Sequence, residues 1–284
     1  MDDPARERTL TDAATPLIPE GLDATLVLVR HGESTYIVEG RFQGQADSPL
    51  SPTGLRQAAL VSARLARPHE PPVLPVPGND PIELVHSPLK RTTQTAVAIE
   101  AAMRAARLAA SPIARRPDPG FLEIHQGDWQ GLHRDEINER FGASLAAWRR
   151  TPVEAWAPGG EALPEVQARV RPALAAILAR LGEGRPPGTL DRQQVAGYGD
   201  PVVDHPWSIL VGHDGVFKVA MLTLFDLPLD RFWMWSMDLC GITVVEFRAG
   251  RPVLRAHNLT AHLAGLADDP ALAEVEDRSR SGAL

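Results

Sequence analysis

Cysteine is almost missing: Cys240 stands alone among 284 residues. That excludes an internal disulfide framework and a thiolate metal cluster, and it suits a reducing compartment. The histidines are scattered, with no His-Glu-x-x-His pair and no paired-cysteine spacing, so no metal site is expected. No apolar run reaches the roughly 18 residues that a membrane-spanning helix needs, and residues 1–20 are polar and charged with no apolar core for a signal peptide. Basic charge is in deficit too. A net charge of −7 argues against a nucleic-acid partner, which normally meets a strongly basic surface. A soluble, cytoplasmic protein with no nucleic-acid or membrane partner is expected, with a homodimer as the default assembly.

What is present is an alternating pattern. Strand-like runs at 24–30, 82–86, 207–211 and 241–247 alternate with helix-like segments near 53–67, 90–109, 162–182 and 214–224. This predicts an α/β fold, a three-layer α/β/α sandwich on a mostly parallel central sheet. One domain over 23–266 is expected, flanked by tails at 1–22 and 267–284 that are frayed or used in a subunit contact. A helical cap excursion is predicted over about 131–161, where Phe141, Trp148 and Trp156 form cap core or line a substrate mouth. Proline- and glycine-rich stretches at 68–81 and 183–206 read as extended loops, the second as an insertion. Cys240 is expected to be a buried strand residue.

The most informative segment is Leu26-Val27-Leu28-Val29-Arg30-His31-Gly32-Glu33, an apolar strand that ends abruptly in arginine, histidine and glycine. Gly32 is expected to permit a sharp turn that leaves His31 at the carboxyl end of the strand, where open α/β sheets bind ligands. An arginine fork beside a neutral imidazole suits a phosphate ester, because the fork grips oxygens while the imidazole attacks phosphorus. A second strand, Trp207 to Val211, also ends in a histidine, His213. Between them, Ser87-Pro88-Leu89-Lys90-Arg91 starts a helix and puts Arg91 in its first turn, where the helix dipole disfavours a cation unless an anion is near. Glu123 lies between apolar residues ahead of Gly127, Trp129 and Gly131, in what reads as a shaped loop with an inward carboxylate.

These residues, with Arg41-Phe42-Gln43-Gly44 and Pro158-Gly159-Gly160-Glu161, resemble the histidine phosphatase superfamily, which includes cofactor-dependent phosphoglycerate mutases and many phosphomonoesterases. The resemblance spans about residues 24 to 265 and implies two-step phosphoryl transfer without metal or cofactor. It makes His31 the nucleophile, its other ring nitrogen donating to a backbone carbonyl. Arg30, Arg91 and a cationic His213 surround the phosphate oxygens, and Glu123 is proton donor and then base. Flanking arginines would depress the pKa of Glu123, so a bound phosphate dianion is expected to arm it. Arg41, Gln43, Gly44 and Asp214 are the substrate-facing candidates.

Two positions depart from the family pattern. Ile37 replaces a customary asparagine, and Asp214 replaces the glycine that usually follows the second histidine. Asp214 either raises the pKa of His213 or points outward as a helix-start residue. The implied partner is a small phosphorylated substrate, such as a phosphoglycerate, a glycosyl-phosphoglycerate, phosphoserine or a sugar phosphate. Phosphoglycerate mutase is the alternative, although Gln126-Gly127-Asp128-Trp129 stands where mutases carry a Tyr-Gly segment. A non-catalytic phosphate-recognising module is a third reading, set against the presence of all five core residues.

Overall fold

Strand β1 (Ala24–Arg30) is buried along its whole length, and its side chains divide between two cores. Leu26 and Leu28 join one apolar cluster, Val27 and Val29 the other, as the period of two along a strand requires. A strand with apolar residues on both faces needs a helical layer on each side. The computed structural model, which describes residues 16–106, 113–183 and 205–266, supplies both.

On one face lie α2 (Pro52–Ala66) and α3 (Lys90–Ala106), which bury Val61, Leu65, Ile99 and Met103. On the other lie α5 (Leu163–Gly182) and α6 (Asp214–Leu224), with the cap helix α4 (Arg134–Arg150) joining the same core through Ile137, Leu145 and Trp148. The short helix α1 (Thr35–Glu39) follows β1. The remaining strands are β2 (Glu83–His86), β3 (Ala114–Pro117), β4 (Trp207–Gly212), β5 (Ile242–Arg248) and β6 (Arg251–Leu259). Their order is β3-β2-β4-β1-β5-β6. The first four run parallel, β5 is antiparallel to β1, and β6 is antiparallel to β5, which returns it to the direction of the first four. The sandwich and the mostly parallel sheet are therefore as expected, but the sheet has six strands where the sequence pattern marked four. The two extra ones form its edges.

Several details differ from expectation. Leu17 and Leu22 are buried in the larger core, so the described end of the 1–22 stretch belongs to the folded unit. Cys240 is buried but sits at φ +53 in the turn before β5, not in a strand. Trp148 is core, packing on Phe232 and Trp233 at ring separations of 5.4 and 5.7 Å, Phe141 is half-buried, and Trp156 is exposed. The helix predicted over 90–109 is described as far as Ala106. The rest of that prediction, most of the 183–206 loop, and the 267–284 tail lie outside the described residues, as do residues 1–15.

Candidate active site

β1 and β4 are neighbours in the sheet and run in the same direction. Their carboxyl ends therefore deliver Arg30, His31 and His213 to one place. The two imidazoles face each other nearly edge-on, with ring centroids 5.1 Å apart. His31 Nδ1 lies 2.6 Å from its neighbour's carbonyl at Gly32. That contact fixes the proton on Nδ1 and leaves Nε2 with a free lone pair. Gly32 is not required for a left-handed turn. A Cβ there would come within 2.6 Å of the Gly54 carbonyl at the start of α2, so close approach of two backbones demands it. Glu33 ties the same junction down, accepting from Ser51 Oγ while its own N–H donates to Gln57.

Arg91 enters from the first turn of α3 and is fully buried. Its Nε donates to His213 Nδ1 at 3.3 Å, and its terminal nitrogens donate to the carbonyls of Ala46 and Gly44 at 2.8 and 2.7 Å. His213 Nε2 then faces Ser87 Oγ at 2.9 Å. Arg30 is held by the Met237 carbonyl at 2.6 Å, while its Nε is buried without a partner among the described residues. A buried guanidinium N–H left unpaired is a donor that an anion would satisfy.

Glu123 crosses to the start of α6. One carboxylate oxygen accepts from the N–H groups of Ile124 and Val216, both at 2.9 Å, and the other from Gly215 at 3.1 Å. Gly215 makes this possible, since a Cβ there would lie 2.8 Å from the carboxylate. Arg169 of α5 holds the loop from outside, donating to the carbonyls of Gly120, Leu122 and Glu123 and pairing with Glu161. Glu161 in turn accepts from the His125 N–H at 2.8 Å.

Burial dominates the electrostatics. It pulls the pKa of His31 well below the ordinary histidine value, and Arg91 and Arg30 add to the effect. The same three causes, with His31 itself, lower His213. In the free site His213 therefore favours its neutral form. Its Nδ1 lone pair is engaged by Arg91. For Glu123 the direction differs from the depression expected of its flanking arginines: burial, helped by the Asp214 carboxylate, raises its pKa against the pull of its backbone donors and Arg91. Arg91 itself is lowered to about 10, mainly by burial.

The structure thus brings Arg30, His31, Arg91, Glu123 and His213 together. The substrate-facing candidates have partners of their own in the free structure. Arg41 donates to Glu39 and to the Gly131 carbonyl, linking the loop after α1 to the start of the cap. Gln43 is buried, its carbonyl taking bonds from Ser34 and Ser48. Gly44 contributes its carbonyl to Arg91. Asp214 neither faces His213 as a counter-charge nor points outward; it is buried and pairs with Lys218. Ile37 packs on Leu239 as a buried apolar pair, which accounts for an aliphatic residue there. Sequence reasoning assigned no role to Ser87, Glu161 or Arg169. The first was read as a helix start, and an arginine within a helical repeat carries no local signal of its loop partners.

The chain matches the family model described as histidine phosphatase superfamily (branch 1) over residues 26–187 and 193–260. It is 28% identical over 239 residues to phosphoserine phosphatase 1 of Hydrogenobacter thermophilus, covering 84% of this chain and 93% of that one. It is 32% identical over 205 residues to glucosyl-3-phosphoglycerate phosphatase of Mycobacterium tuberculosis, covering 72% and 76%. A solved structure of a mycobacterial glucosyl-3-phosphoglycerate phosphatase superposes with a TM-score of 0.63 at 26% identity, covering 83% of this chain and 99% of that one.

Proposed function

Because this chain belongs to the histidine phosphatase superfamily, we propose that it is a metal-independent phosphomonoesterase that hydrolyses a small organic phosphate through a phosphohistidine at His31. The observation that carries the reading is the pairing of two strand-end imidazoles inside a buried arginine field, with His31 Nε2 left as the free nucleophile. Phosphoryl transfer is catalysed chiefly by positioning and charge neutralisation, and two buried arginines supply charge where other phosphatases use metal ions.

In the first step Nε2 attacks phosphorus, the ester P–O bond breaks, and the leaving alkoxide takes the proton of Glu123. In the second, the Glu123 carboxylate removes a proton from water, the water oxygen bonds phosphorus, and the N–P bond returns its electrons to Nε2. The balance is ester plus water to alcohol plus phosphate. A dianion among Arg30, Arg91 and His213 opposes their mutual repulsion, so substrate binding draws a proton toward His213. We assign the enzyme to the cytoplasm, in keeping with one buried thiol and with no described helix long and apolar enough to cross a membrane.

The relatives' names nominate phosphoserine and glucosyl-3-phosphoglycerate as first substrates to try. The test is phosphate release from a panel including these and 3-phosphoglycerate, with a chelator present, comparing wild type with His31→Ala. Chelator-resistant release that disappears in the variant is expected. Interconversion of phosphoglycerates without release would make the protein a mutase, and release surviving in His31→Ala would remove the proposed nucleophile.

A further inference from the structure

Asp214 and Lys218 form an ion pair of 2.6 Å, one helical turn apart on α6, in a helix whose residues are all buried. Both side chains are more than nine-tenths buried. The Lys218 ammonium is also covered by aromatic faces, 4.9 Å from the Trp233 ring centre and 5.3 Å from that of Phe232. A dry ion pair is seldom worth more to stability than apolar residues of the same size. Its position is the informative part: Asp214 stands between His213 and the Gly215–Val216 peptides whose N–H groups hold the carboxyl of Glu123.

We propose that Asp214, clamped by Lys218, is a positioning residue for the proton-donating carboxyl of Glu123. This rests on the reading of Glu123 as the general acid. The charged and titratable groups around Glu123 come from every packed element. Arg30 and His31 come from the end of β1, Arg91 from α3, and Arg169 with its partner Glu161 from α5. His213 comes from the end of β4, and Asp214 and Lys218 from α6. The arginines favour the carboxylate form, and Glu161 is committed to Arg169. Asp214 is the carboxylate that acts on Glu123 in the opposite sense. The ammonium of Lys218 supplies Asp214 with its counter-charge and fixes that carboxylate at the first turn of α6, whose Gly215 and Val216 N–H groups hold Glu123 where the leaving group needs its proton.

The test is the pH profile of kcat/KM on an alkyl phosphate and on p-nitrophenyl phosphate, whose leaving group departs without a proton. Asp214→Asn should move the alkaline limb on the alkyl ester to lower pH, by about one unit, with little change on the aryl ester. Lys218→Arg, which keeps the cation, should retain the wild-type profile. Equal loss by Asp214→Asn at every pH and on both esters would mark a packing lesion and overturn the proposal, as would an unmoved alkaline limb. Glu123→Gln separates the two layers. If it retains full alkyl-ester activity, the reading beneath the inference falls as well; if it is impaired while Asp214→Asn keeps the wild-type limb, only the inference falls.

Discussion

His31 and Glu123 shift in opposite directions for one reason. Burial disfavours charge, which lowers the imidazole and raises the carboxyl. The proposed chemistry needs both in their uncharged forms. At ordinary values of 6.5 and 4.5, a neutral imidazole and a protonated carboxyl would coexist in only about 1% of molecules. The shifts bring the two titrations toward or past each other and enlarge that fraction. The His31 ring, followed by NMR in the free enzyme, should therefore remain neutral well below pH 6.5; a midpoint at or above 6.5 would contradict this. The identities of Arg30, His31, Arg91, Glu123 and His213 could be read from the chain because each sits at a strand end, helix start or glycine-flanked loop. Their protonation states could not, because these follow from burial and from cations far away in sequence.

At the scale of elements, the acid loop, which carries the proposed proton donor Glu123, has no regular structure of its own beyond short 3-10 turns. Its shape depends on α5 reaching across through Arg169. Arg169→Met should release the carbonyls of Gly120, Leu122 and Glu123. A misplacement of about 1 Å can reduce a rate about 100-fold, so alkyl phosphate hydrolysis should fall by about 10- to 100-fold. p-Nitrophenyl phosphate, which does not need the acid, should be affected less. Equal losses on both esters would place the role of Arg169 in overall folding instead. Strands buried on both faces were evident from their apolar runs. β3 was not, because its Ala-Arg-Arg-Pro residues are all exposed. Nor was β6, where Pro252, Arg255 and His257 interrupt the pattern of a half-covered edge strand.

For the molecule as a whole, burial of neutral histidine links stability to pH. His31, His86, His213, His257 and His262 all have lowered pKa values, each chiefly through burial. Below about pH 6.5 the unfolded chain binds protons that the native state refuses, so stability present above that pH is lost as pH falls. For each of the fully buried pair His31 and His213 the loss is up to about 1.4 kcal/mol per pH unit. Glu123, raised in the fold, works in the opposite direction as it takes up its proton, but it is one group against several. The melting temperature should therefore fall between pH 7.5 and 5.5, and His213→Asn should flatten the slope. A temperature that rises over this interval would contradict the account.

The sequence by itself determined the layered α/β class, the order of the central elements and the residues that meet at the strand ends. Each of these is written locally, in apolar runs, in glycine, and in the side chain that follows a strand. The tertiary structure decided what those residues do in each other's presence. Lys218 claims Asp214, Arg169 clamps the acid loop from 46 to 49 residues away, and Arg91 reaches His213 across 122 residues. Such pairings and the dryness around them arise only when the two strand ends and three helices converge, and no window of sequence contains that convergence.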